Sequence, residues 1–263
     1  MTTLSAYLSV AGALSKWQAI ASKSPAVSTA TAYYKAHIGE AKSAAALVRN
    51  PRLFNYAMKA FGLGDRTDAK ALMTRAMNEG ALSSSALAVK LHDPNILAFV
   101  KAFDFKDNGA TAASTSAAVQ KVVDLYAENA LETDQGKQNP GVELALYFQR
   151  KAPSIKDAYS VLADKKLLKV VQTALNISPM TGLEPIDQQA KLMSGKIKFA
   201  DFQDPKKLQA FLSRFSAMYD YGGGSSSGGS NPTNAILFDS SAAATDTGFG
   251  PGFLQSLQGY RAV

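Results

Sequence analysis

The run Asn50-Pro51-Arg52-Leu53-Phe54-Asn55-Tyr56-Ala57-Met58-Lys59-Ala60-Phe61-Gly62-Leu63 decides the fold. Asn50 followed by Pro51 writes a helix start: an Asx side chain caps the free N–H groups, and proline at the first position sacrifices no hydrogen bond. Leu53, Tyr56, Ala57, Ala60 and Phe61 then recur at i, i+3, i+4, i+7 and i+8 and share one face, while Arg52, Asn55 and Lys59 point away. Gly62 and Gly64 are the expected helix terminators. The same text returns as Asp164-Lys165-Lys166-Leu167-Leu168-Lys169-Val170-Val171-Gln172-Thr173-Ala174-Leu175-Asn176-Ile177, displaced by 114 residues (164 − 50). Its apolar positions Leu167, Val170, Val171, Ala174 and Leu175 fall on the same stripe.

Other echoes extend the repeat. Tyr33-Tyr34 returns as Tyr147-Phe148, and Asp93-Pro94 through Phe99 and Phe103 returns as Asp204-Pro205 through Phe211 and Phe215. Gly80 is expected to close a helix that starts near Asp68. Alternating strand-like runs are nearly absent. The fold class is therefore all-α and multihelical, with two similar helical repeats joined by a connecting helix. The expected organisation is an N-terminal amphipathic helix over 1–27, with Leu4, Tyr7, Leu8, Ala11, Leu14 and Trp17 on one side, and a first repeat over 28–110. A connecting helix and loop occupy 111–139, and a second repeat spans 140–220. Residues 221–263 begin with the run Gly222-Gly223-Gly224-Ser225-Ser226-Ser227-Gly228-Gly229-Ser230, which reads as a flexible tether before a low-charge tail.

The totals exclude several chemistries. The 263 residues contain no cysteine, which removes disulfides, thiol nucleophiles and cysteine-bound metals. Two histidines, His37 and His92, cannot build a multi-histidine centre. The net charge of +7 is spread: +6 over residues 1–110, −2 over 111–142, +4 over 143–220 and −1 over 221–263. Such a distribution reads first as a solvated, mildly basic surface and second as a nucleic-acid or anionic-membrane face. No apolar stretch approaches the ~18–20 residues that cross a bilayer. The N-terminus, with no basic residue before Lys16, does not read as a Sec signal peptide. The cytoplasm is the expected location, and any export would have to follow a route other than Sec.

Few residues invite catalysis. His37 and Glu40 stand at i, i+3, a spacing that suits an acid/base or metal pair, but the corresponding positions of the second repeat are Lys151 and Ser154. An ordinary surface pair is the simpler reading. His92 beside Asp93 reads as part of a helix start. Gly248-Phe249-Gly250-Pro251-Gly252 has the composition of a phosphate loop without the flanking strand and helix. Ser83-Ser84-Ser85 lacks an activating histidine. Lys165, Lys166, Lys169, Lys191, Lys196 and Lys198 are the densest basic positions, but the aromatics that a nucleic-acid reader would stack on bases fall on buried stripes. No catalytic residue, cofactor site or metal site is expected. Phe253, Leu254, Leu257 and Tyr260 form a short amphipathic stretch and are the candidate partner-binding residues.

Taken together, Asn50-Pro51-Arg52-Leu53, Ala60-Phe61-Gly62-Leu63, Tyr147-Phe148, Ala152-Pro153, Leu162-Ala163-Asp164, Gln188-Gln189-Ala190, Asp204-Pro205, Phe211-Leu212 and Arg214-Phe215 resemble the bacterial domain-of-unknown-function family twelve-seventeen, over residues 28–220. The resemblance implies an all-helical protein with two structural repeats and genes often found among flagellar genes. It implies no catalytic residues. The expectation is a non-enzymatic, protein-binding accessory or structural factor linked to the flagellum, in assembly or export. The alternative is a basic helical nucleic-acid-binding regulator.

Overall fold

The computed structural model describes residues 1–222. Its α-helices are α1 (Thr3–Ala11), α2 (Leu14–Lys23), α3 (Pro25–His37), α4 (Ala44–Arg49), α5 (Pro51–Ala60), α6 (Lys70–Glu79), α7 (Leu87–Lys90) and α8 (Pro94–Phe103). There follow α9 (Ser116–Gln138), α10 (Pro140–Lys151), α11 (Ala158–Leu162), α12 (Lys165–Leu175), α13 (Ile186–Lys196) and α14 (Pro205–Tyr221), and no described residue lies in a strand.

The repeat is laid out element by element. Helices α3, α4, α5, α6 and α8 recur in order as α10, α11, α12, α13 and α14, with the short α7 replaced by the 3-10 turn Phe199–Gln203. The caps explain the shared starts. Asn50 Oδ1 accepts from the N–H groups of Arg52 and Leu53, and Asp164 Oδ1 accepts from those of Lys166 and Leu167. Asp93 and Asp204 do the same for α8 and α14. Each such cap contributes roughly 1 kcal/mol. Gly62 (φ 75°) and Gly80 (φ 76°) terminate α5 and α6 with the positive φ that favours glycine, whereas Gly64 instead begins the 3-10 turn Gly64–Arg66.

Each half has its own core. The predicted stripe of α5 is buried, and Phe54 and Met58 widen it. Phe99 of α8 meets Phe54 and Phe61 edge-on at 6.5 and 5.5 Å, so α8 closes against α5. In the second half Phe148 packs against Phe202 and Phe211 at 5.1 and 5.4 Å. Fully burying one such ring contributes about 1.5–3 kcal/mol. The connecting helix α9 serves both cores, giving Val122 to the first and Leu131 to the second.

The N-terminal segment departs from the sequence expectation. It is two helices, broken at Gly12-Ala13, where Ala13 adopts φ −137°, ψ 37°. The buried face of α1 is Thr3, Tyr7 and Val10, with Leu4 only half-buried and Leu8 exposed. The break redirects the chain: α1 packs on α10 and α14, while α2 lies along α9. The N-terminal residues thus complete the core of the second half, not the first to which they are joined.

Candidate functional site

The repeat carries a polar junction at the same place in each half. In the first half, Asn50 Nδ2 donates to the Tyr33 hydroxyl at 3.1 Å, and the Arg52 guanidinium lies 3.6 Å over the Tyr33 ring. In the second, the Tyr147 hydroxyl donates to Asp164 Oδ2, and Lys166 Nζ lies 5.2 Å from the Tyr147 ring centre. All three pairs, Tyr33/Tyr147, Asn50/Asp164 and Arg52/Lys166, sit at the 114-residue displacement. Tyrosine therefore fastens the first helix of each repeat to the cap of the third.

Only the second junction is built into the interior. Asn95 of α8 reaches across from the first half and donates to the Tyr147 hydroxyl at 3.0 Å and to Asp164 Oδ2 at 3.3 Å. Its own Oδ1 accepts from Lys151 Nζ at 2.5 Å. Asn95 and Asp164 are both buried. Burial, with the neighbouring Arg150 charge, pulls the Lys151 ammonium down to about 8. Burial, then the Asp164 charge, pushes the Tyr147 hydroxyl well above its usual range. A lysine depressed this far has the property required of an amine nucleophile or base. Here its nitrogen is engaged by Asn95, in a network that fastens the two halves together.

Next along α10, Arg150 forms a two-pronged pair with Glu132 of α9 (Nε to Oε1 2.6 Å, Nη2 to Oε2 2.8 Å). This pair borders a cavity of about 380 Å³ between α2, α9 and α10, floored by Leu14, Leu125, Leu131 and Leu146. Glu128, also on its wall, accepts from Gln18 at 3.3 Å, and burial raises its carboxyl above the ordinary carboxylate range. Of the ionisable groups lining the cavity, two are thus consumed by each other.

Two open surfaces stand out. The first is a channel of about 480 Å³ between α3 and α5, flanked by Tyr126 of α9. The second is an apolar patch in the second half, where Leu183 is 80%, Met180 57% and Ile186 56% exposed. Met180 and Leu183 stand at i, i+3 of the 3-10 turn Pro179–Leu183 and share one face. Gln189 Nε2 holds this segment by donating to the carbonyls of Gly182 and Glu184. Half-exposed Tyr159 is tied to the neighbouring helix by its hydroxyl, which donates to Asp187 at 2.8 Å.

The residues singled out in the sequence fall as follows. His37 Nδ1 and Glu40 Oε1 lie 2.9 Å apart as an exposed pair, and the His37 ring packs on Tyr33. His92 takes a positive φ of 50° immediately before the α8 cap. Among the described residues no group of His, Asp or Glu is arranged to hold a metal ion. Of the basic positions, Lys166 pairs with Glu143 at 2.7 Å. Phe253, Leu254, Leu257, Tyr260 and the Gly248–Gly252 run lie outside the described residues. No described helix is long and apolar enough to cross a membrane. Sequence reasoning missed the Asn95–Tyr147–Lys151–Asp164 network. Its one advance sign was the repeated Tyr-to-Asx spacing, which the packing stripes overshadowed.

A duplicated all-helical body of this kind, with its polar groups gathered at repeat junctions, defines the class. The chain belongs to the family described as protein of unknown function DUF1217, whose pattern matches residues 60–208. It is similar to a protein from Agrobacterium tumefaciens solved by X-ray crystallography, with 39% sequence identity and a TM-score of 0.77. That likeness covers 83% of this chain and 93% of the other. No curated protein matches the sequence.

Proposed function

We propose that this chain is a non-enzymatic accessory or structural factor that binds other proteins of the bacterial flagellum, in assembly or export. The flagellar setting rests on the family resemblance. The binding role rests on one observation: Met180, Leu183 and Ile186 are more than half exposed on a segment whose backbone is held in place by Gln189. Soluble bodies keep large apolar side chains together at the surface mainly where another molecule covers them. A held segment also surrenders little conformational freedom on docking. The partner surface is accordingly apolar, and the tail residues Phe253, Leu254, Leu257 and Tyr260 supply a second contact.

The test is recovery of flagellar proteins by the tagged chain, by Leu183→Glu and by a chain ending at residue 222, from cells with intact or blocked flagellar export. Loss of recovery with Leu183→Glu, at an unchanged unfolding midpoint, supports the patch. Loss on truncation alone assigns binding to the tail. Equal recovery by all three removes both surfaces from the proposal.

A further inference from the structure

The cavity between α2, α9 and α10 exists because α2 reaches α9 without filling the space in front of it. The break at Gly12-Ala13 turns the chain so that α2 lies along α9, yet Ala21 is the one residue of α2 that is fully buried. Leu14 and Gln18, one helical turn apart, line the gap from this side. Leu125 and Leu131 of α9 and Leu146 of α10 line it from the other. Its volume of about 380 Å³ lies within the range of sites that enclose a small organic molecule.

The charges around this apolar space do not balance. Glu132 holds both Nε and Nη2 of Arg150, at 2.6 and 2.8 Å, and these two side chains are only 5% and 12% exposed. Glu128 is the carboxylate left over. Gln18 Nε2 donates to its Oε1 at 3.3 Å, while its Oε2 stands 3.9 Å from Arg150 Nε, too far for a hydrogen bond. Burial raises the Glu128 carboxyl; Arg150 lowers it in part, and Glu132 and Asp124 raise it further. Two carboxylates and one guanidinium give the lining one negative charge in excess (−2 + 1 = −1). A neutral apolar guest would strip water from Glu128 and return nothing for it. An anion would meet two carboxylates and a guanidinium that is already paired. A cation with an apolar body answers both parts of the lining.

We infer that this cavity binds a small aliphatic primary amine in its ammonium form, with the charge set against Glu128 and the hydrocarbon chain against Leu14, Leu125, Leu131 and Leu146. An ammonium carries three donors, and the Glu128 carboxylate and the Gln18 side-chain carbonyl are acceptors of the right kind on one wall. Tyr7 steadies the neighbouring wall, its hydroxyl donating to Gln149 Oε1 at 3.1 Å. The site shares no residue with Met180, Leu183 and Ile186, so this inference and the protein-binding reading stand or fall separately.

The probe is hexylammonium, titrated into the full chain at neutral pH beside hexanol and hexanoate. Trp17, the single tryptophan of the chain, immediately precedes Gln18 on α2, so its fluorescence reports occupancy. A saturable change is expected with hexylammonium, at a Kd at least about tenfold below those of hexanol and hexanoate, a factor that corresponds to about 1.4 kcal/mol. Glu128→Gln keeps an acceptor for Gln18 and removes the charge; it should weaken hexylammonium by a similar factor at an unchanged unfolding midpoint. Absence of saturation at millimolar hexylammonium would overturn the inference. Equal binding of hexanol would overturn it too, by reducing the site to an apolar void, and so would binding indifferent to Glu128→Gln. If that variant unfolds, the ranking of the three probes on the natural chain decides alone.

Discussion

The Tyr147 hydroxyl donates to one carboxylate oxygen of Asp164 while the other oxygen caps α12. One side chain thereby starts a helix, receives the first helix of its repeat and meets Asn95 from the other half of the molecule. In the first half Asn50 performs the first two tasks with the hydrogen-bond polarity reversed, its amide donating to Tyr33.

Removing the cap at the two places should therefore differ in cost. Asn50→Ala forfeits a partly exposed cap, about 1 kcal/mol. Asp164→Ala forfeits a cap and strands two buried donors, for a loss of about 2–4 kcal/mol. Asp164→Asn should fall between, since it keeps the cap and meets Tyr147 as Asn50 meets Tyr33, but turns a donor toward Asn95. Urea denaturation of the three variants, compared at constant m-value, checks the order.

Lys151 predicts a pH dependence. Its folded value, about 8, lies below the ~10.4 of an unfolded lysine, so between these limits the unfolded chain binds more protons. The burden of the buried ammonium is fully present below pH 8 and is relieved as pH rises toward 10. The stability of the natural chain relative to Lys151→Met should increase by about 1–2 kcal/mol from pH 7.5 to 9.5. Taking the difference between the two proteins cancels the tyrosines, which act in the opposite sense above pH 10. A flat difference across this range would contradict the burial assigned to Lys151.

Two glycines should respond oppositely to alanine. Gly195 lies near the end of α13 with nothing within 4 Å of an added methyl, so Gly195→Ala should stabilise by about 0.5–1 kcal/mol. At Gly141 the methyl would strike Tyr219 and Thr3 at under 3 Å, and Gly141→Ala should destabilise by about 1–3 kcal/mol. Thermal unfolding of the pair reads both signs.

Tyr34 is fully buried, and its hydroxyl has no hydrogen-bond partner among the described residues. Its counterpart in the repeat is Phe148, which the second half buries as completely. Tyr34→Phe should raise stability by about 1 kcal/mol, because it removes an unsatisfied polar atom and leaves the ring stacked on Tyr56. An unfolding midpoint that falls would show that the hydroxyl is satisfied in solution.

What the sequence made legible follows from the range of the interactions involved. Caps at Asn50, Asp93, Asp164 and Asp204 are local, and all four hold. The stripe of α5 is written in residues a turn apart and is buried as read. The break at Gly12-Ala13 was not legible, because the apolar spacing from Leu4 to Trp17 continues through it. What turns the chain there is the fit of Tyr7 and Val10 into a core more than a hundred residues away. The Asn95–Lys151 contact was equally hidden, since it joins residues 56 positions apart whose pairing depends on how the halves meet. In the repeat Lys151 stands where the first half has His37, and the meaning of that mismatch lies in burial that no local pattern encodes.

The backbone N–H of Thr3 donates to both carboxylate oxygens of Asp220, at 3.1 and 2.9 Å. Start and finish of the described body are thus knotted by hydrogen bonds spanning 217 positions. During synthesis α1 cannot complete its docking until α14, the last described helix, has left the ribosome. New termini cut into an exposed loop, with the old ones joined, would spare α1 that delay.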